Sequence, residues 1–226
     1  VCEDKMTQRY SNRHEAGRLL AQRLAEYRGE DTVVVGLPRG GIEVAAEVAS
    51  RLGCELDIIM AGKLRAPYNP ELAIGAVTED GLAYLNTGAI RSLRIPPGYI
   101  EEEKKARLET MRERLALYRK VKPKVDLNKK TVLIIDDGLA TGSTMVSAIQ
   151  AAHACGAARI IVAVPGGPAD TVETIKMMPE VATVVCPAMP EPFFAVSQLY
   201  DDFRQVEDFE VVEILRKFVI KAYIRR

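Results

Sequence analysis

The chain has 226 residues, 48% of them apolar, and its 31 Lys plus Arg are matched by 31 Asp plus Glu. Such a length and apolar share can build a substantial core. Balanced charge excludes a global field for nucleic acid or an anionic membrane, so any anion must be held by a local site. Cys2, Cys54, Cys155 and Cys186 lie far apart, with only two histidines in the chain, His14 and His153. They make neither a zinc cluster nor a Cys-x-x-Cys pair, and both histidines read as structural. No apolar stretch reaches the ~18 residues of a membrane span, and the opening VCEDKMTQRYSNRHE is too polar for a signal peptide. A reduced, cytoplasmic setting is expected.

From Arg13 to Tyr27 the apolar residues Ala16, Leu19, Leu20, Leu24 and Tyr27 recur at helical spacing, and Ser11 or Asn12 can cap the start. TVVVG (Thr32–Gly36) follows as a short β-branched run, the pattern of a strand buried on both faces. Gly41–Leu52 is helical again and closed by Gly53, and LDIIM (Leu56–Met60) is a second strand, which completes a βαβ unit. Gly62–Gly75, GKLRAPYNPELAIG, has two prolines, two glycines and two cations, so a long exposed loop or an irregular hairpin is expected there. Gly98–Lys122 is a charged surface helix with Leu108, Met111, Leu115 and Tyr118 as its buried stripe. Its mixed signs favour a solvated face over a nucleic-acid patch.

Strand and helix then alternate: TVLIID (131–136), helix Thr144–Cys155, strand Arg159–Val164, helix Asp170–Met177 and strand Val181–Cys186. This order predicts an α/β fold, a parallel sheet covered by helices on both faces. After Cys186 the pattern breaks into PAMPEPFFAVSQLYDD before a last helix over about Val211–Ile224. No repeat or linker divides the chain, so one domain over 1–226 is expected, with a core of about 1–186 and a C-terminal segment of about 187–226.

TVLIIDDGLATGSTM (Thr131–Met145) carries the chemistry. A buried parallel strand ending in Asp136 and Asp137 puts two carboxylates at the carboxyl edge of the sheet, where open α/β folds bind ligands. Adjacent carboxylates repel unless hydroxyl donors or Mg²⁺ offset them. Gly138, Ala140, Thr141, Gly142, Ser143 and Thr144 then form a small-residue loop that enters a helix, offering amides and hydroxyls to a phosphate. A diol binder beside a phosphate cradle points to a ribose 5-phosphate. Alternatively the loop is a turn whose Ser143 or Thr144 caps the helix. A Walker-type ATPase is excluded, because GLPRGGIE has Ile-Glu where Lys-Ser/Thr is required.

IIDDGLATGSTM resembles the phosphoribosyl pyrophosphate signature of type I phosphoribosyltransferases, and the likeness extends along most of the chain. VVVGLPRGG (Val33–Gly41) resembles that family's pyrophosphate loop. With KL-x-x-P-x-NPE-x-AIGA and the aromatic tail, the pattern is closest to a group of predicted phosphoribosyltransferases of undetermined acceptor. The resemblance implies Mg²⁺-dependent transfer of the phosphoribosyl group to a base or other nitrogen nucleophile, with release of pyrophosphate. By the same resemblance Asp136 and Asp137 hold the ribose hydroxyls, directly or through Mg²⁺, and residues 140–144 hold the 5-phosphate. Pro38, Gly40 and Gly41 form the pyrophosphate loop, with a cis bond from Pro38 into Arg39. Glycines there admit the pyrophosphate to the backbone, and Arg39 offers it a fork of donors.

Lys63 and Arg65, on a flexible loop over Lys63–Glu71, would share the leaving charge with Arg39. The segment after Cys186 stands where the family keeps its base-binding hood. Phe193, Phe194 and Tyr200 are candidates to stack on the acceptor, and Glu71 to move a proton. A homodimer is expected by resemblance, and no nucleic-acid or membrane partner. In the hypoxanthine-guanine branch an Asp stands where this chain has Ala140, so a 6-oxopurine loses support. The alternative function is a phosphoribosyl pyrophosphate-binding regulator without transferase activity.

Overall fold

The computed structural model describes residues 9–29 and 31–224; Cys2 and the side chain of Glu71 lie outside what is described. Asn12 caps helix α1 (Arg13–Arg23), its side chain accepting the Glu15 amide at 3.0 Å. The expected continuation to Tyr27 tightens at Leu24 into a 3₁₀ turn over Ala25–Tyr27. Strand β1 (Thr32–Gly36) and helix α2 (Gly41–Leu52) follow, α2 ending at Gly53 with φ 71°, a left-handed cap that favours glycine. After β2 (Glu55–Ile58) come β3 (Ala61–Ala66), β4 (Asn69–Thr78), β5 (Ala83–Leu85), α3 (Thr87–Ser92) and α4 (Pro97–Arg119). The core then resumes with β6 (Thr131–Ile135), α5 (Ser143–Ala154), β7 (Arg159–Ala163), α6 (Ala169–Lys176) and β8 (Val181–Val185), and α7 (Asp208–Ile224) closes the order.

Five parallel strands lie in the order β2-β1-β6-β7-β8. β1 and β6 are neighbours in register, Gly36 beside Ile135, although more than ninety residues separate them. The chain winds outward one way from β1 and the other way from β6. Such a switch point splays the two loops that leave the strands' carboxyl ends and opens a crevice there. Strand alternation sorts the core into two layers. Val34, Leu133, Ile135, Ile161 and Ala163 pack with α2, α4 and the start of α7, while Val33, Val35, Val132, Ile134, Ile160 and Val162 pack with α5 and α6.

The Gly62–Gly75 segment takes the irregular-hairpin alternative. β3 and β4 pair antiparallel with register shifts at Arg65, and β5 completes a separate three-stranded sheet. This sheet sits tightly on α4: a Cβ at Gly62 would lie 2.7 Å from that of Arg107. A buried ion cluster fastens it to the core. Asp57, on β2, is 2% exposed, and Arg119 at the end of α4 reaches it at 2.6 Å while holding Glu79, just past β4, at 2.6 Å. Burial raises the Asp57 carboxyl's pKa, against the opposing pull of Arg119 and the Val125 and Ile58 amides.

Removing the shared cation leaves two partly desolvated carboxylates facing each other. Arg119→Met is therefore expected to lower stability by about 3–5 kcal/mol, the usual cost of breaking a buried pair from one side. Urea denaturation checks this; a loss below about 1 kcal/mol, typical of an exposed pair, would show that the cluster does not fasten the hairpin sheet.

Candidate functional site

β6 ends at Ile135, so Asp136 and Asp137 leave the sheet at the switch point beside the end of β1. Both carboxylates are held against the first turn of α2. A Cβ on Gly40 would lie 2.0 Å from Asp137 Oδ2, and one on Gly41 2.7 Å from Asp136 Oδ1. The PRGG glycines thus make room for the acidic pair, a role beyond the expected access for pyrophosphate. The amino end of α2 in turn sets its positive dipole against that pair. The Pro38–Arg39 bond is cis, as expected, and Glu191–Pro192 is cis as well.

The two carboxylates are compensated unequally. Arg13, 5% exposed, donates from Nε to Asp137 Oδ2 at 2.7 Å and from Nη1 to the Arg204 carbonyl at 2.8 Å. Asp136 Oδ1 accepts the Asp137 amide at 2.9 Å, and no cation among the described residues pairs with it. Burial, and after it the Asp137 charge, holds the Asp136 carboxyl well above the usual carboxylate range, opposed by the Asp137 amide and by Arg13. A buried acid left in that state is a group that gains from a ligand's donors.

The following loop enters α5 with Gly142 as its cap, at φ 73° and with no side-chain acceptor on the first-turn amides. The capping alternative for Ser143 or Thr144 is thereby overturned: Gly142 occupies the cap, and Ser143 and Thr144 are already inside the helix. Open amides of a helix amino end and its dipole favour an anion. Thr141 Oγ1 and Ser143 Oγ stand 3.2 Å apart at the loop's edge, and Thr171 Oγ1 steadies the loop by donating to the Ala140 carbonyl at 3.1 Å. Asp136 to Met145, with Val196 from the C-terminal segment, line a cleft of about 220 Å³ that joins the acids to the amino end of α5.

The other expected residues are placed less simply. Arg39, 26% exposed, pairs with Glu207 at 3.0 Å, just before α7. Lys63 and Arg65 lie on β3, where the Arg65 amide donates to Glu103 and its carbonyl accepts from the Tyr99 hydroxyl, so this strand is docked on α4 and does not line the cleft. Tyr200 requires a correction. Its ring is 2% exposed, stacked on Phe203 at 5.2 Å and against Tyr10 at 5.8 Å, so no face remains for an acceptor. Its hydroxyl donates to the Asp137 carbonyl at 2.6 Å. Phe193 is half-buried beside this cluster, and Phe194 is 83% exposed.

Arg13 was missed in the sequence. It stands one turn before Ala16 on the apolar face, since 13, 16, 20 and 24 share that face, and a cation at such a place is the signal that could have marked it. Glu43, 6% exposed on α2, is a second hidden charge, held by Arg204 at 2.9 Å and facing Arg13 at 3.7 Å.

Residues 10–183 match the model of the phosphoribosyl transferase domain family. Two Mycobacterium tuberculosis proteins, from strains CDC 1551 and H37Rv, each provisionally named a phosphoribosyl transferase, are 41% identical over 206 residues, 91% of this chain. The chain spans about half the length of these relatives, the match covering 46% of each. The crystal structure of TT1426 from Thermus thermophilus is 41% identical with a TM-score of 0.87, covering 93% of this chain and 99% of that one.

Because its folded-state pKa is raised, Asp136 binds its proton more tightly in the folded chain than in the unfolded one. Its contribution to stability is full below the ordinary carboxylate range and is lost as the pH climbs from there through the raised value. Asp136→Asn, which keeps the amide acceptor, is expected to raise the melting temperature at neutral pH by about 2–4 °C per kcal/mol relieved. The gain should vanish near pH 3. Thermal scans in chelator without ligand test this; a variant melting lower than wild type at pH 7 would contradict it.

Proposed function

The chain belongs to the phosphoribosyl transferase domain family, and from that premise we propose that it transfers the 5-phosphoribosyl group of phosphoribosyl pyrophosphate to a base or other nitrogen nucleophile, releasing pyrophosphate. One observation carries this reading. Two carboxylates for a diol and an open helix amino end for a phosphate share one cleft of about 220 Å³ at the switch point of the sheet. That pairing matches the two ends of a ribose 5-phosphate.

In the reaction the acceptor nitrogen attacks C1 as the bond from C1 to pyrophosphate breaks, through an oxocarbenium-like transition state. Asp136 and Asp137 fix the 2- and 3-hydroxyls, and Gly138, Ala140, Thr141, Gly142, Ser143 and Thr144 fix the 5-phosphate, so the sugar is held by both ends. The PRGG loop, Pro38 with Gly40 and Gly41, borders the leaving group. Arg39 takes up its developing charge after exchanging Glu207 for it, and Lys63 and Arg65 join when the hairpin sheet approaches. The acceptor is proposed to stack on Phe193 or Phe194, on the segment that sends Val196 into the cleft, with Glu71 retained as the proposed proton acceptor.

Mg²⁺ fits this donor set as a substrate-borne ion. Asp136 and Asp137 are hard oxygen donors, and among the described residues no group of three or more His, Cys, Asp or Glu gathers to hold a resident metal. Mg²⁺ is commonly bound by one or two carboxylates together with substrate phosphates. When bound it would neutralise pyrophosphate charge. Among the described residues no helix is long and apolar enough to cross a membrane, and Cys54, Cys155 and Cys186 are free thiols. A cytoplasmic role in nucleotide metabolism and a homodimeric assembly are part of the proposal.

Calorimetry with phosphoribosyl pyrophosphate and Mg²⁺ is expected to show binding, weakened by about 10–100-fold in Asp136→Asn/Asp137→Asn, the loss of one or two charge-assisted hydrogen bonds. Unchanged affinity in the double variant would remove the acidic pair from the site. Pyrophosphate release screened over purines, pyrimidines and small amines should identify the acceptor. Binding without turnover on every acceptor would favour the regulator instead.

A further inference from the structure

The acidic pair is not self-supporting. Two segments remote in sequence converge beneath it, and their contacts are more specific than packing requires. From α1, Arg13 sends Nε to Asp137 Oδ2 at 2.7 Å. Its guanidinium lies 4.0 Å from the centre of the Phe203 ring, which covers it. From the C-terminal segment, the Tyr200 hydroxyl reaches the Asp137 carbonyl at 2.6 Å. The two segments are laced to each other and to the sheet edge: Tyr10 and Tyr200 form a parallel bridge, the Arg9 guanidinium donates to the Tyr200 carbonyl at 2.8 Å, and the Tyr10 hydroxyl donates to the Pro165 carbonyl at 2.9 Å.

From this convergence we infer that Arg13 and Tyr200 are positioning residues, which aim Asp137 at the sugar and divide the work between the two acids. The inference rests on the reading of the cleft as a ribose 5-phosphate site and adds to it how the diol is selected. Asp137 is grasped at both ends, at its side-chain oxygen by Arg13 and at its backbone oxygen by Tyr200, so neither its side-chain torsion nor its peptide plane is left to the ligand. One oxygen of each carboxylate is engaged internally, Asp137 Oδ2 by Arg13 and Asp136 Oδ1 by the Asp137 amide. The side chains of the pair also meet each other, so the acceptors offered to the two neighbouring hydroxyls are those of one coupled unit held in a fixed place. Preorganised acceptors bind without the cost of ordering them first.

Arg13 also places a positive charge against the pair, 2.7 Å from Asp137 Oδ2. An ion-paired Asp137 beside Asp136 carries less net repulsion than two bare carboxylates, so both can face a neutral diol at once. Arginine suits this place better than lysine, because its flat fork donates to Asp137 and to the Arg204 carbonyl while its face meets an aromatic ring. The C-terminal segment therefore reaches the site from below as well as from above: Val196 lies over Gly138, where a Cβ would be 2.6 Å away, and Tyr200 lies under Asp137.

The test is a ratio of affinities, which general damage to the fold leaves unmoved. A sugar phosphate with the diol and no 1-hydroxyl, 1,4-anhydroribitol 5-phosphate, is compared with tetrahydrofurfuryl phosphate, which keeps the ring and the phosphate and lacks the diol, on wild type, Tyr200→Phe, Arg13→Met and Arg13→Lys. Wild type should prefer the diol by about tenfold or more, the worth of hydrogen bonds to a charged acceptor. Tyr200→Phe, which deletes one oxygen atom, should cut that preference severalfold, Arg13→Met should bring it close to one, and Arg13→Lys should recover part of it. A preference unchanged in Tyr200→Phe and Arg13→Met, or both ligands weakened equally in them, would overturn the positioning role while leaving the cleft reading intact. Wild type that binds neither ligand, or both equally, would overturn the cleft reading and this inference with it.

Discussion

Two adjacent carboxylates at the end of a buried strand are the constraint on which the rest of this structure depends. Each loses hydration by being there and each repels the other, so the fold must supply compensation from outside the strand. It does so from three directions. The amino end of α2 faces the pair across glycines that have no Cβ to intrude, Arg13 neutralises Asp137 from α1, and Tyr200 pins the Asp137 carbonyl from the C-terminal segment. Asp136 stays under-compensated, with its carboxyl held above its ordinary range by burial. Local instability of this kind is usual where a ligand completes the set of partners.

The parts of the fold that depend on local pattern were legible in the sequence. Thr32–Gly36 and Gly41–Leu52 form where the β-branched run and the glycine punctuation put them, and Thr131–Ile135 ends within one residue of its expected limit. The acids and the glycine-containing turn into α5 were legible for the same reason, as they lie in one continuous stretch of fifteen residues. What supports them was not. Arg13 and Asp137 are 124 residues apart and Tyr200 and Asp137 are 63 apart, and no local spacing encodes either contact. A helical arginine is solvated in most proteins, and a tyrosine near a chain's end gives no sign of which of its ends will be buried. The glycines of PRGG were read for the right property, closeness of approach, but the group that approaches them in the folded chain is the protein's own acidic pair.

The hairpin sheet divides the cations expected to meet the leaving group. Arg39 is beside the site and held by Glu207, whereas Lys63 and Arg65 sit on β3, whose backbone is bonded to α4. The sheet is fastened to the core through Asp57, Arg119 and Glu79 at its far side. On the proposed reading, the acids and the open amides for the sugar stand together in one cleft, whereas Arg39 is paired with Glu207 and the backbone of β3 with α4.

The most direct measurement is a crystal structure of the chain soaked with ribose 5-phosphate. The expected result is density for one sugar phosphate across the cleft, its phosphate on the amides at the start of α5 and its 2- and 3-hydroxyls within hydrogen-bond distance of Asp136 and Asp137, with Arg13 still on Asp137. A sugar phosphate bound elsewhere, or bound with its hydroxyls turned away from both acids, would contradict the assignment of this cleft.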